Sequence, residues 1–152
     1  MSFYLEFDTV VRRFEAAKLR YAVAGGLAVG LHGFIRATED MDFLIDSADS
    51  EQAEAILLKL GYRRNPECQS LPRAGLTLWR FHKRLPKQYD LSVVDLLVPT
   101  APRVRKILER ALPVKYGAVT VRVVTSVDLV TMKQRRGSAT DKADIEFLKR
   151  KP

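Results

Sequence analysis

The sequence predicts an α/β (α+β) fold in which a mixed sheet is flanked by helices, and three observations support this. Apolar residues recur with helical spacing near the N-terminus, and short apolar strands then alternate with helical segments. A strand, a glycine pair and a helix follow one another from Tyr21 onwards. The last third is helical and basic. The 152 residues suffice for one domain with its own core, so we expect a single domain over 1–152.

Periodicity places five elements in the first 61 residues. They are a helix over 3–18, a strand over 21–24, a helix after Gly26, a strand over 41–46, and a helix over 50–60 capped by Asp49 and ended by Gly61. The stretch between the second helix and the second strand, 34–39, is expected to be a loop. The short strand over 21–24 is apolar throughout, which indicates a position inside the sheet.

The second half continues the alternation of strands and helices. We expect irregular structure over 62–74, strands over 76–81 and 91–97, a helix over 100–111 opened by Thr100 and Pro102, a hairpin of 114–116 with 119–124 around Gly117, and two C-terminal helices, the first capped by Ser126 and the second beginning near Thr140 or Asp141. Trp79 and Phe81 alternate with Leu78 and Arg80 and are expected in the core rather than against a nucleobase.

The composition argues against a membrane-spanning, secreted or disulfide-bonded protein. No apolar run approaches the roughly 20 residues that span a bilayer, and the N-terminus lacks the pattern of a signal peptide. Cys68 is the only cysteine, so no internal disulfide forms, and a cytoplasmic location is expected without a membrane partner.

The net charge of +8 is concentrated in one part of the chain. Residues 1–100 hold 13 basic and 13 acidic side chains, whereas 101–152 hold 13 basic and 5 acidic ones. Such asymmetry favours a polyanionic partner such as RNA or a triphosphate. A solvated basic helix face would explain the same excess.

Gly25 and Gly26 stand between a strand and a helix. Glycine lets the backbone approach a ligand closely and adopt positive φ, and the N–H groups at a helix start suit phosphate. A simple tight turn is the alternative, because Gly-Gly alone is a weak signal.

Asp40 and Asp42 enter the second predicted strand with one residue between them. Residues two apart in a strand point to the same side, about 7 Å apart along the backbone. Two such carboxylates repel each other unless a cation lies nearby, and Mg²⁺ prefers hard oxygen ligands of this kind. The alternative is a solvated strand end with two surface acids.

Asp95 interrupts the apolar strand Leu91 to Val98. A carboxylate among buried apolar residues is costly unless it is paired or bound to metal. An ion pair with an arginine of the core is the alternative to a metal.

Together, Gly25-Gly26, Asp40-Met41-Asp42 and a later strand aspartate resemble the active-site signature of the DNA polymerase β-type nucleotidyltransferase superfamily. The stretches Ala24 to Ala28 and Arg36 to Asp42 are most similar to small bacterial proteins related to abortive-infection toxin nucleotidyltransferases, over roughly 20–148. Gly26 stands where many members have a serine that touches phosphate, so backbone N–H groups would take over that contact.

The resemblance implies a minimal nucleotidyltransferase fold, with 1–100 as catalytic core and 101–152 as its basic C-terminal part. It implies a metal-dependent enzyme that moves NMP from an NTP to a hydroxyl, with pyrophosphate release. The implied catalytic and metal-binding residues are Asp40, Asp42 and Asp95, with Mg²⁺ or Mn²⁺, and the implied nucleotide-binding residues are Gly25, Gly26, Arg36, Thr38 and Lys133.

The resemblance leaves the acceptor open between RNA, in particular tRNA, protein and a small molecule. Asp141 and Asp144, three apart on a helix, are expected to hold Lys133 in place rather than bind metal. A non-catalytic nucleotide- or RNA-binding protein, for example half of a toxin–antitoxin pair, is the second hypothesis. A structural oligomer subunit is the third, and it leaves Asp95 unexplained.

Overall fold

An eight-stranded mixed sheet, with strands drawn from most of the chain, positions the candidate site. The computed structural model describes residues 2–34, 38, 40–86, 91–136 and 139–150. Within these ranges there are six α-helices: α1 (Ser2–Ala16), α2 (Gly25–Leu31), α3 (Ser50–Lys59), α4 (Pro102–Arg110), α5 (Ser126–Arg136) and α6 (Ala139–Arg150). The eight strands are β1 (Tyr21–Ala24), β2 (Asp40–Ile45), β3 (Arg63–Arg64), β4 (Gln69–Leu71), β5 (Leu76–Arg84), β6 (Leu91–Pro99), β7 (Leu112–Tyr116) and β8 (Val119–Val123).

The strand order is β3-β5-β6-β2-β1-β8-β7, and β4 pairs with β5 further along the same strand. Strand β2 runs parallel to β6, and β1 runs parallel to β8. The other pairs are antiparallel, including the β7–β8 hairpin. The predicted mixed sheet flanked by helices is therefore confirmed.

One face of the sheet is sealed by α1. Phe7, Val10, Val11 and Phe14 follow helical spacing, and all four side chains are buried. The Phe43 ring of β2 lies 6.1 Å from the Phe7 ring and 5.2 Å from the Phe14 ring, measured between centroids. Because neighbouring strand residues point to opposite faces, Asp42 lies on the other face, where the candidate site forms.

Residues 62–74, expected to be irregular, contain the two short strands β3 and β4. Both are too short for a side-chain period to show in the sequence, and both pair with the longer β5. Strand β5 itself extends to Arg84, beyond the predicted end.

The predicted helix caps are only partly right. Gly61 follows α3 at φ +96°, as expected for a helix stop, but the Asp49 carboxylate accepts hydrogen bonds from Arg20 instead of capping α3. The N-cap of α4 is Ala101 rather than Thr100. At α5 the hydroxyl of Thr125, not of Ser126, accepts the hydrogen bond from the backbone N–H of Asp128.

Phe81 is fully buried and Trp79 packs against the core, so both expectations for β5 are confirmed. The Arg64 guanidinium covers the Trp79 ring, 4.2 Å from its centroid. Within the described ranges no helix has the length and apolar character needed to cross a membrane.

Candidate active site

A row of side chains across adjacent strands forms the centre of the candidate site. The parallel pairing of β2 with β6 sets Asp42 opposite Asp95, and the antiparallel pairing of β5 with β6 sets Arg80 opposite Asp95. On the other side of Asp42, the register of β1 places Ala24 in the same row. The sheet therefore brings together two acids that are 53 positions apart in the sequence.

Asp95 is buried, with 4% of its side chain exposed, and it pairs with Arg80. The Arg80 Nε donates to Oδ1 of Asp95 at 2.8 Å, and Nη2 donates to Oδ2 at 2.9 Å. The ion pair with an arginine, left open as the alternative to a metal, is thus present. The hydrogen bonds to Asp95 raise the pKa of the Arg80 guanidinium, and the charges of Asp95, Asp40 and Asp42 raise it further.

Asp40 opens β2 at the mouth of the site, with 44% of its side chain exposed. Its Oδ2 lies 3.7 Å from Nη2 of Arg80, so Arg80 stands between Asp95 and Asp40. The Thr38 hydroxyl donates to the backbone carbonyl of Asp40 at 3.3 Å, which supports the start of the strand. The predicted nucleotide contact of Thr38 stays a prediction, and Arg36 lies outside the described residues.

Gly25 begins α2 directly beneath the Asp42 carboxylate. Its φ is +63°, and a Cβ at this position would lie 2.8 Å from Cγ of Asp42 and would overlap one carboxylate oxygen. The backbone of Gly25 thus approaches Asp42 closely, and its predicted approach to a ligand stays a prediction. Helix α2 has seven residues, and the phosphate contacts expected of Gly25 and Gly26 stay predictions.

Alanine at Gly25 is expected to destabilise the protein more than alanine at Gly117. Both glycines have positive φ, +63° and +59°, but only Gly25 has atoms within 4 Å of the added Cβ. Left-handed backbone costs a non-glycine residue about 1–2 kcal/mol, and the overlap with Asp42 adds about 1–3 kcal/mol. Urea unfolding of both variants measures the difference, and equal losses would show that Asp42 moves aside freely.

Lys133 of α5 is buried, with 3% of its side chain exposed. Its Nζ lies 3.3 Å from Oδ1 of Asp141 and 2.9 Å from Oδ2 of Asp144, both carboxylates being buried on α6. The expectation that these two acids hold Lys133 is confirmed. Lys133 also lines the cleft described next, and its predicted contact with phosphate stays a prediction. The side chains of Arg135 and Arg136 are outside the described part of the chain.

A cleft of about 850 Å³ extends from the carboxylates. Its floor and walls are largely apolar and come from β5, β6, α4 and α5, with Leu78, Leu97, Ile107 and Met132 among them. Ligand pockets for small molecules commonly have about 300–1,000 Å³, so the cleft has room for a substrate beside the acids.

The charged lining of the cleft comprises five basic and four acidic residues. Arg73 and Arg103 lie on its rim, where Arg103 donates to the backbone carbonyl of Arg73 at 2.6 Å. Arg110 makes two hydrogen bonds with Asp128, of 3.0 and 2.8 Å, so the Asp128 carboxylate already has a cationic partner.

The residues predicted to bind metal differ in their surroundings. The hard oxygens of Asp40 and Asp42 suit a Mg²⁺ or Mn²⁺ ion that shares its coordination with phosphate. Among the described residues, no three or more Asp, Glu, His or Cys side chains are gathered closely enough to hold a metal together. Both oxygens of Asp95 accept hydrogen bonds from Arg80, and the metal contacts of all three acids stay predictions.

Two other residues have local roles. Nε2 of His32, at the end of α2, donates to the carbonyl of Val124 at 2.8 Å. Cys68 is an exposed free thiol outside the cleft.

The fold of this chain is that of solved nucleotidyltransferase structures. The solved lincosamide antibiotic adenylyltransferase LnuA, with lincomycin bound, matches with a TM-score of 0.65 and 19% identity, over 95% of this chain and 94% of that one.

Two further solved structures resemble the chain at 14% identity. A Thermotoga maritima protein assigned as a nucleotidyltransferase has a TM-score of 0.66 over 97% of this chain and 91% of its own. ANT(2")-Ia, in complex with adenylyl-2"-tobramycin, has a TM-score of 0.63 over 97% and 87%. The sequence matches no family model and no curated protein. The resemblance to the toxin branch stays a prediction.

Proposed function

We propose that the protein is a metal-dependent nucleotidyltransferase that moves NMP from an NTP to a hydroxyl group. The observation that carries the proposal is the row of Asp42 and Asp95, with Asp40 beside it, at the end of a ligand-sized cleft in this fold. The hypothesis of a purely structural subunit does not explain why these acids are gathered at the end of such a cleft.

In the proposed reaction, Asp40 and Asp42 hold the divalent ion together with the triphosphate. When bound, the ion neutralises charge on the phosphate oxygens. The acceptor oxygen forms a bond to the α-phosphorus, and the bond from that phosphorus to the bridging oxygen breaks. Pyrophosphate leaves with the electron pair, and the hydroxyl proton passes to a carboxylate of the site. The chain contributes by positioning both substrates and by electrostatics.

We favour a small molecule as the acceptor. The resemblance to LnuA, an adenylyltransferase named for a lincosamide antibiotic, extends over 94% of that protein. The cleft is apolar, which suits the body of a small organic molecule. The test described below also includes RNA and protein as acceptors.

The lining of the cleft argues against a polycation such as tobramycin as acceptor. Arg73 and Arg103 contribute positive charge, and Asp128 is already paired with Arg110. The remaining acids are those proposed for the metal and the acid held by Arg80. A cationic acceptor would therefore meet repulsion, whereas a neutral or anionic hydroxyl compound would not.

The test is transfer of label from each NTP, radiolabelled at the α-phosphate, in the presence of Mg²⁺ or Mn²⁺. Acceptors are lincomycin, tobramycin, a pool of neutral and anionic bacterial metabolites, total RNA and total protein. The Asp42→Asn variant, purified identically, controls for contaminating transferases. We expect label on a small neutral or anionic compound with the wild-type protein alone.

Other outcomes separate the competing hypotheses. Label on RNA or protein would support the proposed reaction with a macromolecular acceptor and would bring back the toxin interpretation. Saturable metal-dependent NTP binding without transfer to any acceptor would favour a nucleotide-binding protein, such as a toxin–antitoxin component. Absence of both binding and transfer would contradict the proposed function.

A further inference from the structure

Arg80 lies where the carboxylates of the site converge. Its guanidinium bonds both oxygens of Asp95 at 2.8 and 2.9 Å and approaches Asp40 at 3.7 Å. The strand register fixes this arrangement, because Arg80 and Asp95 face each other directly on β5 and β6. A bidentate arginine–carboxylate pair is among the strongest charge-assisted hydrogen bonds in proteins.

The pair leaves Asp95 no oxygen without a hydrogen bond from Arg80. Binding a metal through Asp95 would require Arg80 to leave a carboxylate that is 4% exposed. Separating the pair is expensive, since the buried carboxylate of Asp95 would lose its partner in surroundings that solvate it poorly.

The net charge of the three carboxylates and Arg80 also argues against metal binding by Asp95. Asp40, Asp42 and Asp95 carry three negative charges, and Arg80 supplies one positive charge among them. One divalent ion then balances the group before any phosphate arrives. A second ion would have to bind beside a permanent cation, which Coulomb repulsion disfavours.

We propose that Arg80 permanently occupies one of the two cation positions of this centre, so that the protein binds a single divalent ion, through Asp40 and Asp42. This inference rests on the proposed function. In it, Asp95 is not a metal ligand but the anchor of Arg80. Arg80 has five N–H donors, of which two serve Asp95.

The remaining donors of Arg80 belong to a side chain that is 45% exposed and lines the cleft. Arg80 is therefore placed to stabilise negative charge on the phosphoryl group, as the second ion does in two-metal sites.

The experiment counts Mn²⁺ ions by electron paramagnetic resonance in the complex with a non-hydrolysable α,β-methylene NTP. Two ions about 3.5–4 Å apart give a spin-coupled spectrum, whereas one ion gives an uncoupled six-line spectrum. We expect one uncoupled ion in the wild-type protein. In Arg80→Gln we expect a second, coupled ion with at least about tenfold higher affinity, because Asp95 is released (a tenfold change is 1.4 kcal/mol).

Arg84→Gln is the matched control. Arg84 lies on the same strand, an even number of residues from Arg80, and faces solvent outside the cleft. This variant should bind one uncoupled ion like the wild-type protein. Arg80→Lys, which keeps the positive charge, should also bind only one.

Each outcome decides the proposal. A coupled pair in the wild-type protein would overturn the role of Arg80 and leave the proposed function standing, and this result does not depend on whether Arg80→Gln folds. A folded Arg80→Gln protein that binds a single Mn²⁺ ion with unchanged affinity would also overturn the proposed role of Arg80. If neither nucleotide nor Mn²⁺ binds to any variant, both proposals are wrong.

Discussion

Replacing Asp42 with asparagine is expected to lower the rate of nucleotide transfer by roughly 10²- to 10³-fold without unfolding the protein. The amide keeps the size of the carboxylate above Gly25 but loses the charge that would hold the ion. Asp42 lies opposite Asp95 and its charge also attracts Arg80, so the substitution removes one repulsion and one attraction, and the stability should change little.

Single-turnover transfer and urea unfolding, measured on the same preparation, test this expectation. Asp8→Asn serves as the control, since Asp8 pairs with Arg12 on α1 at 2.8 Å and lies far from the cleft in the fold. The rate of the control should match the wild-type rate. Transfer by a folded Asp42→Asn protein within about threefold of wild type would remove Asp42 from the proposed machinery.

Replacing Lys133 with methionine is expected to cost about 3–5 kcal/mol of unfolding free energy. Lys133 lies within 3.3 Å of two carboxylates, and the side chains of all three residues are buried. Without the ammonium group, the buried carboxylates of Asp141 and Asp144 would lose the cation that lies within 3.3 Å of both. The contact between α5 and α6 should therefore weaken first.

A rescue variant separates loss of charge balance from loss of packing. Lys133→Met combined with Asp141→Asn and Asp144→Asn removes all three charges and should recover most of the lost stability. Lys142→Met, an exposed position on α6, is the control and should change stability by less than about 0.5 kcal/mol. If the triple variant is as unstable as Lys133→Met alone, packing rather than charge accounts for the loss.

Local patterns in the sequence predicted most of the fold. Helical spacing located α1, and the apolar runs located β1, β2 and β6. The spacing of Asp141 and Asp144 predicted their shared contact with Lys133, because residues three apart on a helix lie on one face. Each of these predictions depends on neighbours in the sequence, and the structure confirms each.

Two of the predictions that failed depend on contacts distant in the sequence, and the third is a choice between neighbouring helix caps. Asp49 has the residue type of a helix cap, yet its carboxylate binds Arg20, 29 positions earlier. Ser126 and Thr125 are both competent caps, and local sequence does not choose between them. The short strands β3 and β4 exist only because β5 offers them an edge.

Arg80 is the site residue that sequence analysis missed. Alternation along β5 showed that Arg80 faces away from Phe81, and Asp95 was recognised as needing a partner. The pairing register of β5 and β6 places Arg80 opposite Asp95. This register is a long-range property, and the pattern of side chains within one strand does not predict it.

The same register makes the site vulnerable to a particular kind of genetic change. Substitutions can alter Asp42, Asp95 or Arg80 one at a time and leave the others in place. Deleting a single codon early in β6 would instead turn Asp95 toward the face that holds Phe43 and Phe81, and would present a core residue to the cleft. Homologous proteins can thus diverge widely in sequence here, but insertions and deletions should be confined to the turns between these strands.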